Sequence, residues 1–338
     1  DDDNVPVKVY DNLIKAVHEN LEPMYKYVEL RKKMLDLDQI HMYDIYTPLV
    51  QKLDIDIPFS EAKNTIKKGL KPLGEDYLKV LEQGFESNWI DVYENKGKRS
   101  GAYSSGCYGV HPYVLLNYSE NMSDMFTLAH EMGHALHTYY SNKNQPFVYA
   151  NYKIFVAEVA STLNEALLIH YLLEETTDID KRKYLINHYL DQFKGTVYRQ
   201  TMFAEFEKII HERAEDGQPL TADLLNNIYR KLNEKYYGDE MVIDEEIERE
   251  WARIPHFYYN YYVYKYATGF SAAVALSRQI IEEGEDAVKR YLDFLKSGNS
   301  DYPINVLKRA GVDMTSPQPV ETALGIFSDM VDELEQLI

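Results

Sequence analysis

Residues 130–134 read His130-Glu131-Met132-Gly133-His134. Two histidines four apart lie on one face of an α-helix, one turn above the other, so both imidazoles can bind the same metal ion. Glu131, beside the first histidine, can hold and deprotonate the water that such a metal activates. A hydrolytic metal centre with two imidazole ligands and a carboxylate base is the chemistry this spacing allows.

A catalytic zinc needs a third protein ligand and one open position. The metzincin spacing would put a third histidine at residue 140, which is Tyr140. Glu158 is the better candidate, because it interrupts the apolar stretch Phe155-Val156-Ala157-Glu158-Val159-Ala160. A carboxylate there is costly to bury unless a metal or another partner compensates it. Ser161 and Glu165 share its helical face and can orient ligands. The thermolysin-type aspartate four residues on is absent, since that position is Thr162. His137 lies seven residues from His130, a rise of about 10 Å, so the three histidines cannot share one ion; it reads as a core residue or a support behind the ligands. A di-iron bundle would need Glu-x-x-His twice, and Glu131 is the only Glu three residues before any histidine.

The motif needs a helix to carry it. Met125, Leu128, Ala129, Met132, Leu136 and Tyr139 recur at spacings of three and four, with Ser123 ahead of them as the expected N-cap. Gly133 inside that helix predicts close approach of another backbone or a substrate. Helical periodicity also runs through 7–37, 60–87, 153–175, 181–216, 221–236, 268–298 and 319–337. One stretch breaks the pattern: residues 94–109 are rich in Gly and Ser, and 112–118 favour a strand. The chain should therefore be mainly α, with a small sheet beside the motif helix.

A second chemical cluster follows at 254–269, where six tyrosines fall within nine residues. So many hydroxyls suit a polar cleft better than a dry core. Amide hydrolysis needs donors for a tetrahedral oxyanion, and His256 and Tyr264 are the best placed to supply them, with Tyr261 next.

Composition limits the partners. The 338 residues carry a formal net charge of -19, which disfavours nucleic acid and anionic membranes but not peptides. A single cysteine, Cys107, leaves no disulfide framework and favours a reducing, cytoplasmic setting. No apolar run is long enough to span a bilayer. The chain opens directly into a helical pattern and reads like a cut inside a longer protein.

The His130–His137 segment, Glu158 with Ser161 and Glu165, Gly97-Lys98-Arg99-Ser100-Gly101-Ala102-Tyr103 and Ile254-Pro255-His256-Phe257-Tyr258 together resemble the M3 metallopeptidases, oligoendopeptidase F branch, over essentially the whole chain. The resemblance implies a helical, zincin-like fold with a deep substrate channel and one Zn2+ held by His130, His134 and Glu158. Glu131 would be the general base. Gly101, Tyr103, Asn117 and Tyr261 would lie along a bound oligopeptide, with His256 and Tyr264 at the oxyanion. Residues 1–338 would form the catalytic domain, lacking the family's N-terminal helical region, itself a possible partner. Two alternatives stay open: a peptidyl-dipeptidase or carboxypeptidase using Arg199 or Arg253 to hold a substrate carboxylate, and a helical peptide-binding protein whose zinc is structural.

Overall fold

A computed structural model describes residues 3–50 and 55–338. The chain divides into two compact units.

The first unit comprises Asp1–Val5, Leu53–Thr177 and Gly269–Met314. Its central pair is the motif helix Met122–Asn144 and the helix Ala157–Glu175. Leu128, Ala129, Met132 and Leu136 from one, and Val159, Ala160 and Leu163 from the other, are fully buried. The motif helix starts earlier than expected. Asn121, in extended backbone, caps it by accepting the Asp124 N–H at 3.0 Å, and the helix begins at Met122. The Asp124 carboxylate in turn accepts from the Ser119 N–H at 2.6 Å. This reciprocal pair fixes the entry of the chain and displaces Ser123 from the capping role.

The expected small sheet is present. Tyr113–Leu115 is its centre, parallel to Ile90–Asp91 and antiparallel to Tyr103–Ser105, with Tyr103 opposite Leu115. Both Tyr103–Ser105 and Tyr113–Leu115 contact the motif helix. The long 60–87 pattern resolves into two helices, Phe59–Gly69 and Gly74–Glu86, joined at Lys71–Leu73. Pro72 lacks the N–H needed to continue a helix. A similar break at Gly284 separates Tyr264–Glu283 from Glu285–Lys296.

The second unit comprises Pro6–Lys52, Asp178–Thr268 and Thr315–Ile338. Its helices include Val7–His18, Glu22–Met34, Ile179–Phe193, Arg199–Glu215, Ala222–Tyr237 and Gln318–Leu337. Ile40–His41 pairs in parallel with Met241–Val242. The expected 181–216 helix carries a π-turn at Lys194–Tyr198. There the buried Lys194 ammonium donates to Ile45 O at 2.8 Å and to Asp191 at 2.6 Å. Tyr27, Phe193, Tyr198 and Phe327 pack ring against ring in this core. Among the described residues no helix is long and apolar enough to cross a membrane.

Candidate active site

The helical spacing brings His130 and His134 together, with ring centroids 4.8 Å apart. The neighbouring helix adds Glu158. Its Oε2 lies 3.4 Å from His130 Nε2 and 3.5 Å from His134 Nε2. Two imidazole nitrogens and one carboxylate oxygen therefore lie within 4.8 Å of one another, the one such metal-capable group among the described residues. With bonds of about 2.1 Å, a tetrahedral zinc has ligand-to-ligand edges of about 3.4 Å. The donor set and its spacing fit that ion.

The helices can meet this closely because of Gly133. A Cβ placed there would fall 2.5 Å from Ser161 Cα and 2.6 Å from Ala160 O. The expected close approach is thus to the helix bearing Glu158. Asn164, fully buried, reinforces it: its Nδ2 donates to Ala129 O at 3.0 Å, and its Oδ1 accepts from the Tyr77 hydroxyl at 2.9 Å.

The orienting contacts fall where the helical face predicts. Glu165 Oε1 pairs with His130 Nδ1 at 2.5 Å, turning Nε2 toward Glu158. Ser161 Oγ donates to Glu158 O at 3.0 Å and reaches its Oε2 at 3.4 Å. Burial alone would raise the Glu158 carboxyl, but hydrogen bonds to His130 and His134 and their charge hold it well below the usual carboxylate range. Burial would lower His130; Glu158 and Glu165 outweigh it and raise the imidazole to about 10. Glu131 is buried, and one of its oxygens has no hydrogen-bond partner. Burial raises its carboxyl, while His130 and His134 oppose that shift. A buried carboxylate with a partner-free oxygen beside the metal-capable group can take a proton.

Other predicted positions divide. His137 touches none of the ligand side chains through a hydrogen bond. It is buried, stacks on Tyr152 at 3.7 Å, and desolvation lowers its imidazole to about 3. It is therefore a neutral core residue, one side of the expected pair of readings. Asn117 clasps the glycine-containing loop, its Nδ2 donating to Arg99 O at 2.9 Å and to Gly101 O at 2.8 Å. That clasp holds Gly101 in left-handed backbone, φ 88°. Tyr103, on the edge strand, presents an exposed ring.

In the second unit, His256 sits half-buried on the short 3-10 turn Pro255–Tyr258. Its Nε2 is 3.3 Å from the Tyr266 hydroxyl, and its ring stacks on Tyr262 at 5.8 Å. The 254–269 pattern contained Tyr266, but the spacing did not single it out. Tyr264 is buried against Tyr10, with centroids 5.0 Å apart. The tyrosine segment is thus divided between core packing and a wetter face. Arg199 and Arg253 do not form a free carboxylate clamp, since both guanidinium groups end on Glu250 Oε1, Arg199 at 2.7 Å.

The Peptidase family M3 model matches residues 1–326. The chain belongs to peptidase family M3. It is 58% identical over 335 residues to oligopeptidase PepF of Bacillus subtilis, covering 99% of this chain and 50% of that protein. It is 48% identical over 334 residues to the chromosomal oligoendopeptidase F of Lactococcus lactis subsp. cremoris, covering 99% and 55%. The crystal structure of oligoendopeptidase-F from Enterococcus faecium matches with a TM-score of 0.80 and 42% identity, covering 99% of this chain and 53% of that one. The M3 chain described here therefore spans about half the length of the curated relatives it matches.

Proposed function

We propose that this M3 chain carries the catalytic centre of a zinc endopeptidase that cleaves internal bonds of oligopeptides. The reading is supported by the His130–His134–Glu158 triangle with its partner-free buried Glu131 oxygen alongside. It is also supported by the names of relatives, two of which are oligoendopeptidases.

His130 and His134 through Nε2, and Glu158 through its carboxylate, would hold the metal. Zinc bound there supplies Lewis-acid polarisation of the attacking water and of the scissile carbonyl. Glu131 takes a proton from the water as it attacks and returns it to the leaving amide nitrogen. Glu165 keeps His130 in the tautomer that presents Nε2. The family resemblance would give donation to the developing oxyanion to His256 and Tyr264; with Tyr264 buried against Tyr10, His256 and the tyrosines on its exposed side are the better donors. An endopeptidase is favoured over an exopeptidase because Glu250 engages both candidate carboxylate-binding arginines.

The test is an internally quenched peptide blocked at both ends, given to the natural polypeptide that carries this sequence. We expect internal cleavage that a chelator abolishes and zinc restores. Intact blocked peptide, or release of terminal residues alone from an unblocked one, overturns the endopeptidase reading.

A further inference from the structure

The tyrosine segment carries an unusual piece of backbone. Asn260 and Tyr261 are consecutive and both left-handed, with φ 47° and 58°. Asparagine tolerates that region, but a bulky residue such as tyrosine is an outlier there unless its surroundings impose it. One contact does so directly. The Tyr261 N–H donates to Glu207 Oε1 at 2.6 Å.

Glu207 lies on the helix Arg199–Glu215 and is fully buried. Its second oxygen has no hydrogen-bond partner. A carboxylate in that position is expensive to bury, so its presence calls for a compensating role. One turn earlier on the same helix, Ala204 O accepts from the Tyr10 hydroxyl at 2.6 Å. The Tyr10 ring then contacts Tyr261 at 5.5 Å and Tyr264 at 5.0 Å. One helix therefore fixes the left-handed turn through Glu207 and, through Tyr10, one ring within the turn and one just after it. That turn separates His256 from Tyr264.

We infer that Glu207 is a positioning residue for the M3 reaction: its carboxylate holds the Asn260–Tyr261 turn in left-handed backbone and so sets where the following tyrosines present their hydroxyls. The inference rests on the oxyanion role proposed for this segment.

Desolvation raises the Glu207 carboxyl to about 7, opposed by the Tyr261 N–H. The phenols of Tyr10 and Tyr261 face it; behind them lie Tyr264, against Tyr10, and His211, whose ring is 4.7 Å from Tyr261. Nearer the surface lie Asp11, Glu212, Glu215 and Lys208. Lys208 ends on Asp11 at 2.7 Å and Glu212 at 3.7 Å. A hydrogen bond to an ionised acceptor is the stronger one, so the turn is held more firmly as Glu207 deprotonates.

The experiment compares Glu207→Gln and Glu207→Ala in the natural polypeptide, with zinc content and melting temperature checked for each. Gln keeps an acceptor; Ala removes it. We expect Ala to lower kcat about 10²-fold while KM stays within about twofold, and Gln to restore most of the loss. The ratio of wild-type to Gln kcat should rise as pH passes about 7, since ionisations shared by both proteins cancel. Independently of activity, 15N-tyrosine labelling should show the Tyr261 amide, assigned by its disappearance in Tyr261→Phe, moving downfield through the same pH range in wild type but not in Gln. Wild-type kcat in the Ala variant, equal losses in Ala and Gln, or a Tyr261 amide indifferent to pH would each overturn the inference. A protein that cleaves no peptide while its Tyr261 amide titrates would sink the peptidase reading and support the clamp.

Discussion

Gly133 lies against Ser161 so closely that a Cβ on the glycine would fall 2.5 Å from the serine Cα. The geometry of the metal-capable triangle depends on this contact, because it sets the separation between the helix bearing His130 and His134 and the helix bearing Glu158. Alanine at 133 would gain about 1 kcal/mol of helix propensity. Against that, the clash is with backbone that cannot rotate away, and overpacking costs about 1–3 kcal/mol. The second term should win: Gly133→Ala should lower the melting temperature and weaken zinc binding, read by competition with a chromophoric chelator. An alanine variant of undiminished stability and zinc affinity would show that the helices can separate freely.

Glu131→Gln separates chemistry from binding. The amide keeps the shape of the carboxylate but cannot take a proton. Zinc content should be unchanged, while kcat on a quenched peptide should fall by about 10²–10⁴-fold. A fully active Gln variant would remove Glu131 from the mechanism.

The pairing of Glu165 with His130 Nδ1 at 2.5 Å predicts the opposite pattern. Glu165→Ala should lower zinc affinity by about 10–100-fold, and activity should return at raised zinc concentration. Lost activity with unaltered zinc affinity would contradict an orienting role.

Asn164 and Tyr77 form a buried pair, with the Tyr77 hydroxyl donating to Asn164 Oδ1 at 2.9 Å. Truncating Asn164 to Ala strands that hydroxyl in a dry site, at a cost of about 1–3 kcal/mol. Tyr77→Phe removes the stranded group. The double variant should therefore be less destabilised than the sum of the two single changes, as measured by urea unfolding. Simple additivity would mean the bond contributes nothing.

Glu207 makes stability depend on pH. Its carboxyl is raised from 4.5 to about 7 by burial, so the folded protein holds this proton where the unfolded chain has released it. The corresponding stability is fully present below about pH 4.5 and is lost as pH rises through about 7. That separation corresponds to about 3 kcal/mol. Glu207→Gln should therefore become progressively more stable relative to wild type between about pH 5 and about pH 8. Parallel pH curves for the two proteins would refute the shift.

Much of the metal site is legible along the chain because it is local. The four-residue spacing of His130 and His134 dictates their shared face on any helix, and the apolar neighbours of Glu158 mark a carboxylate that needs a partner. Ser161 and Glu165 follow from the same helical period. The helix start was displaced by two residues because the Asn121–Asp124 exchange depends on Asp124 also reaching the Ser119 N–H. Ser123 as a capping residue type carries no sign of that competition.

The remainder depended on contacts between residues distant in sequence. No period reveals that Gly133 meets Ser161, that Asn164 reaches back to Ala129, or that Glu207 holds the Tyr261 N–H 54 positions away. A buried Asn in an apolar helix was the available sign for Asn164. For Glu207, on a charged amphipathic helix, its pattern resembles an ordinary solvated face. Asn117 likewise gives no sign in the sequence that the loop carbonyls of Arg99 and Gly101 use its amide. The sequence by itself determined the metal-capable residue types, the candidate base and the helix that carries them, since helical periodicity is a property of neighbouring residues. Only the tertiary structure decided how closely the two ligand helices approach and which side chains hold His130, Glu158 and the tyrosine turn in place, because close packing and buried hydrogen bonds join residues that the chain keeps far apart.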